Sequence, residues 1–144
     1  MFRGFAVIIH NYMLSWFFIK DSLLHYAWWD SIGYNNLNNE QKMENAARFY
    51  ESTAFSTFHS LYMKSESTLR LINKAFAPTL LNESTDPIYR VRQHLYTHFL
   101  SIPYSQHSDF YQLTSIIRNC IHNNGVYRKP DAPNLSLTYR GSLY

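Results

Sequence analysis

The longest periodic run of apolar residues is the feature of this chain that most constrains its fold. Its members recur at spacings of three, four or sums of these, the period of one face of an α-helix: Met43, Ala47, Tyr50, Ala54, Phe58, Leu61, Leu69 and Ile72. Consecutive polar residues weaken the pattern at residues 64–67, and Pro78 ends it. The run therefore predicts one long helix, or two helices that break at residues 64–67.

Helical signals also precede and follow this run. Residues 5 to about 29 contain no Pro or Gly and are apolar around most of a helix circumference, so we expect a helix that is buried or faces a second subunit. Residues 30–39 are rich in turn formers, and Asn39 followed by Glu40 is expected to cap the long helix.

Two shorter helices are predicted after Pro78. Asp86-Pro87 is a typical helix start, and Pro103 stops the helix that follows. Its buried stripe is predicted to be Ile88, Val91, Leu95 and Phe99. Ser108 and Asp109 start the last helix, with an apolar face of Phe110, Leu113, Ile117, Cys120 and Ile121.

The pattern changes period after Gly125. Leu135, Leu137 and Tyr139 alternate with polar residues and Arg140-Gly141 can turn, which indicates that a β-hairpin begins there. The chain ends at Tyr144 before a returning strand could be completed, so we expect a shortened version of a longer molecule. We therefore predict an all-α fold in a single domain, residues 1–144: a helical bundle of four to five helices over residues 1–127, followed by an irregular tail, residues 128–144, that starts the hairpin.

Composition limits the classes of function. Aromatic residues make up 17% of the 144 residues and charged residues only 16%, so some aromatic side chains exceed what a small core needs. The candidates are Trp16, Tyr26, Trp28, Trp29 and Tyr34, which could stack nucleic-acid bases. An aromatic stripe at helical spacing more often belongs to the core or to a subunit interface, and we expect the interface of a homodimer. A net charge of +3 permits nucleic-acid binding without arguing for it alone.

Cysteine usage and hydropathy point to a soluble, cytoplasmic protein. Cys120 is the only cysteine, so no internal disulfide can form and a reducing compartment is expected. The apolar run at residues 13–19 is too short to span a bilayer, and Lys20 and Asp21 close it, so no membrane association is expected.

The likeliest chemistry lies at the end of the last predicted helix. Arg118 and His122 are four residues apart and therefore project from one helix face, where an arginine fork and a titratable imidazole together suit phosphate chemistry. Asn123-Asn124-Gly125 favours a helix stop, which places His122 in the last turn. Tyr111, Thr114 and Ser115, earlier on the same helix, are expected to be open to solvent.

At Arg118-Asn119 with His122 the sequence resembles the HEPN superfamily, compact helical bundles whose catalytic members carry an arginine and a histidine near the end of a late helix. The likeness extends to Asn123-Asn124-Gly125 and faintly to Tyr139-Arg140-Gly141, and Glu66-Ser67-Thr68-Leu69-Arg70 on the long helix also fits. Only three residues separate Arg118 from His122, fewer than the family motif commonly has. On an ideal helix one residue changes the direction of a side chain by about 100°.

The resemblance implies an endoribonuclease that uses neither a metal nor a cofactor, with a site that is composite across a homodimer. By motif position, Arg118 would stabilise the charge of the phosphorane, His122 would act as general acid or base, and Asn119 would orient the substrate or the histidine. Substrate binding is assigned to Asn123, Tyr111 and Ser115, with Arg70 and Glu66 in support. RNA is then the expected ligand.

Other interpretations of the same residues stay open. Arg118 and His122 could instead cap the helix end within a non-catalytic interaction or regulatory module, associated with defence or a toxin–antitoxin pair and binding a protein partner. Glu66 and Arg70 are spaced for an exposed ion pair. His94 and His98 have metal-ligand spacing, but zinc needs a third ligand, so we expect no metal site.

Overall fold

The computed structural model of the protein describes residues 3–78, 86–100, 102–122, 138–139 and 142–143. Its α-helices are α1 (Arg3–Phe18), α2 (Tyr26–Ser31), α3 (Asn39–Phe76), α4 (Ile88–Phe99) and α5 (Ser108–His122). Two strands, β1 (Thr138–Tyr139) and β2 (Ser142–Leu143), pair antiparallel with Thr138 opposite Leu143 and Tyr139 opposite Ser142. The predicted all-α helical bundle of four to five helices with a C-terminal hairpin is confirmed, and the return strand is formed by two residues.

The contacts between residues divide the chain into two compact units, residues 1–61 and residues 62–144. Helix α3 contributes its first part to the first unit and its remaining part to the second. The single domain expected from the chain length stays a prediction. No helix in the described part of the chain is both long enough and apolar enough to cross a bilayer.

The continuous helix predicted over residues 5–29 is wrong, because the chain breaks between α1 and α2. A π-helical turn, Ile19–Leu23, follows α1, and His25 is extended with φ −107° and ψ 115°. The break brings Ile19, Leu23 and Trp29 into a small core with Ala46 of α3. Trp29 Nε1 donates to the Leu23 carbonyl at 2.9 Å, which satisfies an acceptor at the interrupted helix end. Trp29, one of the aromatics expected at a subunit interface, is therefore part of this core.

Helix α3 starts with a capping box. Asn38 Oδ1 accepts a hydrogen bond from the Gln41 backbone N–H at 2.9 Å, and Gln41 Oε1 accepts one from the Asn38 N–H at 3.0 Å. The cap is thus one residue earlier than the predicted Asn39. The helix then runs for 38 residues as one element, so the alternative break at residues 64–67 is wrong. There Ser67 Oγ bonds the Lys64 carbonyl and Arg70 pairs with Glu66, so the polar side chains bond along the helix.

The core of the second unit contains polar as well as apolar side chains. Val91 and Leu95 of α4 are buried as predicted, whereas Phe99 is 46% exposed. Asn73 of α3 is buried with its Oδ1 2.7 Å from His94 Nδ1 on α4. The largest departure from the predicted stripe is Arg92, which is buried beside Val91.

The start of α4 also differs by one residue. Pro87, not Asp86, occupies the N-cap position, and it makes no side-chain capping hydrogen bond. The Asp86 carbonyl accepts from Arg70 Nη1 at 3.0 Å, and its Oδ1 accepts from Arg90 Nη1 at 3.4 Å. Asp86 therefore links the C-terminal part of α3, through Arg70, to the first turn of α4, through Arg90.

Candidate functional site

Arg118 is the predicted site residue whose surroundings are best defined. It is half-buried on α5, and its guanidinium carbon lies 5.7 Å from the centroid of the Tyr62 ring on α3. Its Nη1 donates to Asn119 Oδ1 at 2.8 Å. Its Nε is buried and has no hydrogen-bond partner. The ring and the amide thus fix the direction of the guanidinium, and its donors are only partly used.

Of His122, the structure describes the backbone only. Helix α5 ends at His122, so its backbone lies one helical turn beyond Arg118, as the spacing predicts. The side chain of His122 and the whole of Asn123 lie outside the described residues. The pairing of Arg118 with His122 therefore stays a prediction.

A second arginine, Arg92 of α4, contacts the same tyrosine. Arg92 is 3% exposed, and its guanidinium carbon lies 5.6 Å from the Tyr62 ring centroid and 4.4 Å from that of Tyr111 on α5. Its Nη1 is 3.5 Å from Ser115 Oγ, a long hydrogen bond. Ser115 donates to the Tyr111 carbonyl at 2.7 Å and lies 3.0 Å from the Tyr62 hydroxyl. Two guanidinium groups and a serine hydroxyl therefore surround one aromatic ring.

Neither arginine is paired with a carboxylate within the described residues. The contrast with Lys42, the other buried cation in this part of the chain, is informative because Lys42 pairs with Asp30. A buried charge is costly unless it is paired, and a cation–π contact returns only about 0.5–2 kcal/mol. The Tyr62 ring thus lies within a cluster of net positive charge, which suits the binding of an oxyanion.

Two tyrosines near Arg92, Tyr96 and Tyr104, do not supply the missing negative charge. The Tyr96 hydroxyl is 3.2 Å from the Tyr111 hydroxyl and 3.1 Å from His107 Nδ1. Burial, followed by the hydrogen bond to Tyr111, raises the pKa of Tyr96 to about 12. Burial also raises the pKa of Tyr104, and the nearby charge of Arg92 opposes that rise. Tyr96 and Tyr104 are consequently neutral at physiological pH.

Helix α5 brings several predicted site residues to one region. Tyr111, Ser115, Arg118 and Asn119 are all half-buried, as is Thr114, so the open surface expected at Tyr111, Thr114 and Ser115 is wrong. Tyr111, Ser115 and Arg118 lose exposure because they contact Tyr62 or Arg92, which the periodicity of α5 alone does not predict.

Glu66 and Arg70 form the ion pair that their spacing predicts, with Arg70 Nη2 3.0 Å from Glu66 Oε1. The pair is half-buried and not exposed as expected, with side chains 17% and 23% accessible. Because Arg70 also donates to the Asp86 carbonyl, the pair ties α3 to the residue before α4. A substrate-binding role for either residue stays a prediction.

Sequence reasoning missed Arg92 and Tyr62. The signal that could have found Arg92 is its place directly after Val91 and three residues before Leu95, on the edge of the buried stripe. Tyr62 likewise follows Leu61 at the edge of the stripe of α3. A polar residue at such a position is informative, because burial forces it to find partners.

The histidines of α4 pack against each other. The His94 and His98 rings are 4.4 Å apart, and burial followed by the nearby charge of His98 lowers the pKa of His94. Nowhere in the described ranges do three His, Cys, Asp or Glu side chains cluster in a way that could hold a metal ion.

Comparison with known proteins finds no matching family, no matching curated protein and no matching solved structure. The likeness to the HEPN superfamily therefore depends on the residues of the chain alone.

Proposed function

We propose that this protein is a HEPN-like RNA-binding protein that cleaves RNA without a metal, using Arg118 and His122. The observation that supports the proposal is the pair of guanidinium groups, Arg92 and Arg118, that flank Tyr62 with no described carboxylate partner. A site of this charge attracts phosphate oxygens, and α5 carries it to within one turn of His122.

The proposed reaction is an internal transesterification. The 2′-hydroxyl of RNA attacks the adjacent phosphorus, and His122 takes the hydroxyl proton or protonates the leaving 5′-oxygen. The bond from phosphorus to that oxygen breaks, which leaves a 2′,3′-cyclic phosphate and a 5′-hydroxyl. Arg118 stabilises the charge on the phosphorane oxygens. The hydrogen bond from Arg118 to Asn119 supports a positioning role for Asn119.

The remaining residues of the proposal bind substrate. Tyr111 and Ser115 lie beside Arg92 and are proposed to contact a ribose or a phosphate. Asn123 follows the helix end and is proposed to contact the same nucleotide. Glu66 and Arg70 support the site by holding the start of α4.

A homodimer in the cytoplasm is part of the same proposal. Helix α1 has no buried residue, and its apolar side chains are about half exposed, among them Val7, Met13, Leu14, Trp16 and Phe17. Such a face is covered most simply by a second subunit. The thiol of Cys120 is free, which suits a reducing compartment.

One observation favours a second candidate function. Arg118 is half-buried between Tyr62 and Asn119, as expected for a residue that holds the helix end in place. The chain would then be a non-catalytic interaction or regulatory module that binds a protein partner in a defence or toxin–antitoxin system.

Cleavage of a mixed RNA pool by the wild type and by His122→Ala separates the two functions. Loss of cleavage with an unchanged helical CD spectrum supports the nuclease. Equal cleavage by both proteins refutes the role of His122, and loss of stability alone favours the interaction module.

A further inference from the structure

Arg92 is a buried cation whose hydrogen-bonding capacity is largely unused. A guanidinium carries five N–H donors, and at 3% exposure it has little access to water. Within the described residues, Ser115 Oγ is its one hydrogen-bond partner, at 3.5 Å, and the buried Nε has none. Buried polar groups in folded proteins are normally satisfied, so this deficit calls for a partner.

The charge of Arg92 is equally uncompensated. Cation–π contact with the rings of Tyr62 and Tyr111 stabilises the guanidinium, but such a contact does not replace a carboxylate partner. Arg118 adds a second positive charge against the same Tyr62 ring. Two like charges near one ring repel each other, and an anion that contacts both would offset the repulsion and supply acceptors for the unused donors.

We infer that Arg92 and Arg118 form one binding pocket for a phosphate group beside Tyr62, in which Arg92 is the inner cation and Arg118 the outer one. The inference deepens the proposed function, and it depends on that function only in taking the phosphate to be that of RNA. Arg92 is then a second phosphate-binding arginine, contributed by α4 and absent from the motif on α5.

Phosphate fits this group of donors better than a carboxylate does. One arginine fork can satisfy both oxygens of a carboxylate. Two guanidinium groups instead offer more N–H donors than the two oxygens of a carboxylate can accept, and a tetrahedral anion with more oxygens can use them. A phosphodiester of RNA is therefore favoured over an acidic peptide.

The test is the thermal unfolding of the full chain in increasing inorganic phosphate, against sodium chloride at equal ionic strength. A ligand that binds only the folded protein raises the Tm in a saturable way. We expect this rise in the wild type, and we expect Arg92→Gln and Arg118→Gln each to weaken the apparent phosphate affinity by about tenfold or more. Arg90→Gln is the matched control, because Arg90 is exposed on the same helix and should leave the response unchanged.

A second variant keeps the test decisive if Arg92→Gln loses its helical CD spectrum. Arg118→Gln leaves the buried Arg92 in place, so it should weaken the phosphate response without loss of the helical CD spectrum. A Tm that rises no more in phosphate than in chloride would overturn the inference. So would an equal response in all variants, or a stabilisation by polyglutamate as large as that by phosphate.

Binding of a short single-stranded RNA separates this inference from the proposed function. A phosphate response without RNA binding or cleavage would keep the pocket, with a free phosphate or nucleotide as its ligand, and would refute the RNA function. RNA cleavage that needs His122 but not Arg92, without any phosphate response, would refute the pocket and support the RNA function.

Discussion

The Arg92 guanidinium lies 4.4 Å from the centroid of the Tyr111 ring, so a buried charge on α4 packs against an aromatic side chain on α5. This contact joins two helices through a cation and a ring where an aliphatic pair would be usual. It also places Tyr111 beside the candidate phosphate pocket. Its effect on stability can be measured separately from any ligand.

Replacing Tyr111 with leucine should destabilise the protein more than replacing it with phenylalanine. The leucine variant loses the ring under Arg92 and should cost about 1–3 kcal/mol in the free energy of unfolding. Phenylalanine keeps the ring and loses only the hydroxyl contact with Tyr96. Urea unfolding followed by CD measures both, with the exposed Tyr89→Leu as control. Equal costs for the two variants would show that the ring does not stabilise Arg92.

Substitution of Asn38 tests where α3 begins. Because Asn38 caps the helix through its side chain, Asn38→Ala should lower the free energy of unfolding by about 1 kcal/mol. Asn39 is the neighbouring control, and Asn39→Ala should change stability by less than about 0.5 kcal/mol. The comparison requires only urea unfolding curves of the two variants. A larger loss from Asn39→Ala would move the cap to the position expected from the sequence.

Trp29 should stabilise the first unit both by burying its ring and by donating a hydrogen bond to the Leu23 carbonyl. Trp29→Phe removes both ring volume and the donor to the Leu23 carbonyl, so we expect a loss of about 1–3 kcal/mol. Trp16, which is 45% exposed, provides the matched control because Trp16→Phe should change little in the monomer. Chemical unfolding at low protein concentration measures both. A small effect at Trp29 would contradict its place in the core.

The pH dependence of stability should reflect His94. Its pKa is lowered in the folded protein, so the unfolded chain binds more protons and stability falls as the pH drops through the ordinary value of 6.5. The His94→Gln variant should lose part of this acid sensitivity, and His98→Gln should lose a smaller part, because the His98 charge is the second cause of the shift. Unfolding curves between about pH 8 and pH 5 measure the slope. An unchanged slope in His94→Gln would exclude His94 as the titrating group.

If the proposed nuclease is correct, loss of the His122 imidazole should remove general acid–base catalysis. His122→Ala should reduce the cleavage rate by about 10²- to 10⁴-fold, and Asn119→Ala should reduce it less, because Asn119 only holds Arg118. Single-turnover cleavage of a labelled RNA measures the rate. His10→Ala, an exposed histidine of α1, is the control for nonspecific effects. Cleavage by His122→Ala at the rate of the control would refute the catalytic assignment.

Much of the secondary structure follows from local signals in the sequence. Pro78, Pro103 and Ser108 mark where helices end or begin, and the structure follows each of them to within four residues. The change of period after Gly125 anticipates the short hairpin. These features depend on caps, prolines and periodicity that act over a few residues, so they can be predicted from the sequence without knowledge of the fold.

Tertiary structure decided the features that bear on function. Burial of Arg92 depends on Tyr62 and Tyr111, which are distant in the sequence and approach it only when α3, α4 and α5 pack together. The break between α1 and α2 similarly accompanies the packing of Trp29 against Ala46 in the core of the first unit. A local pattern determines which residues can form a helix, but the energy of burying a charge or filling a core is set by partners that only packing brings into contact.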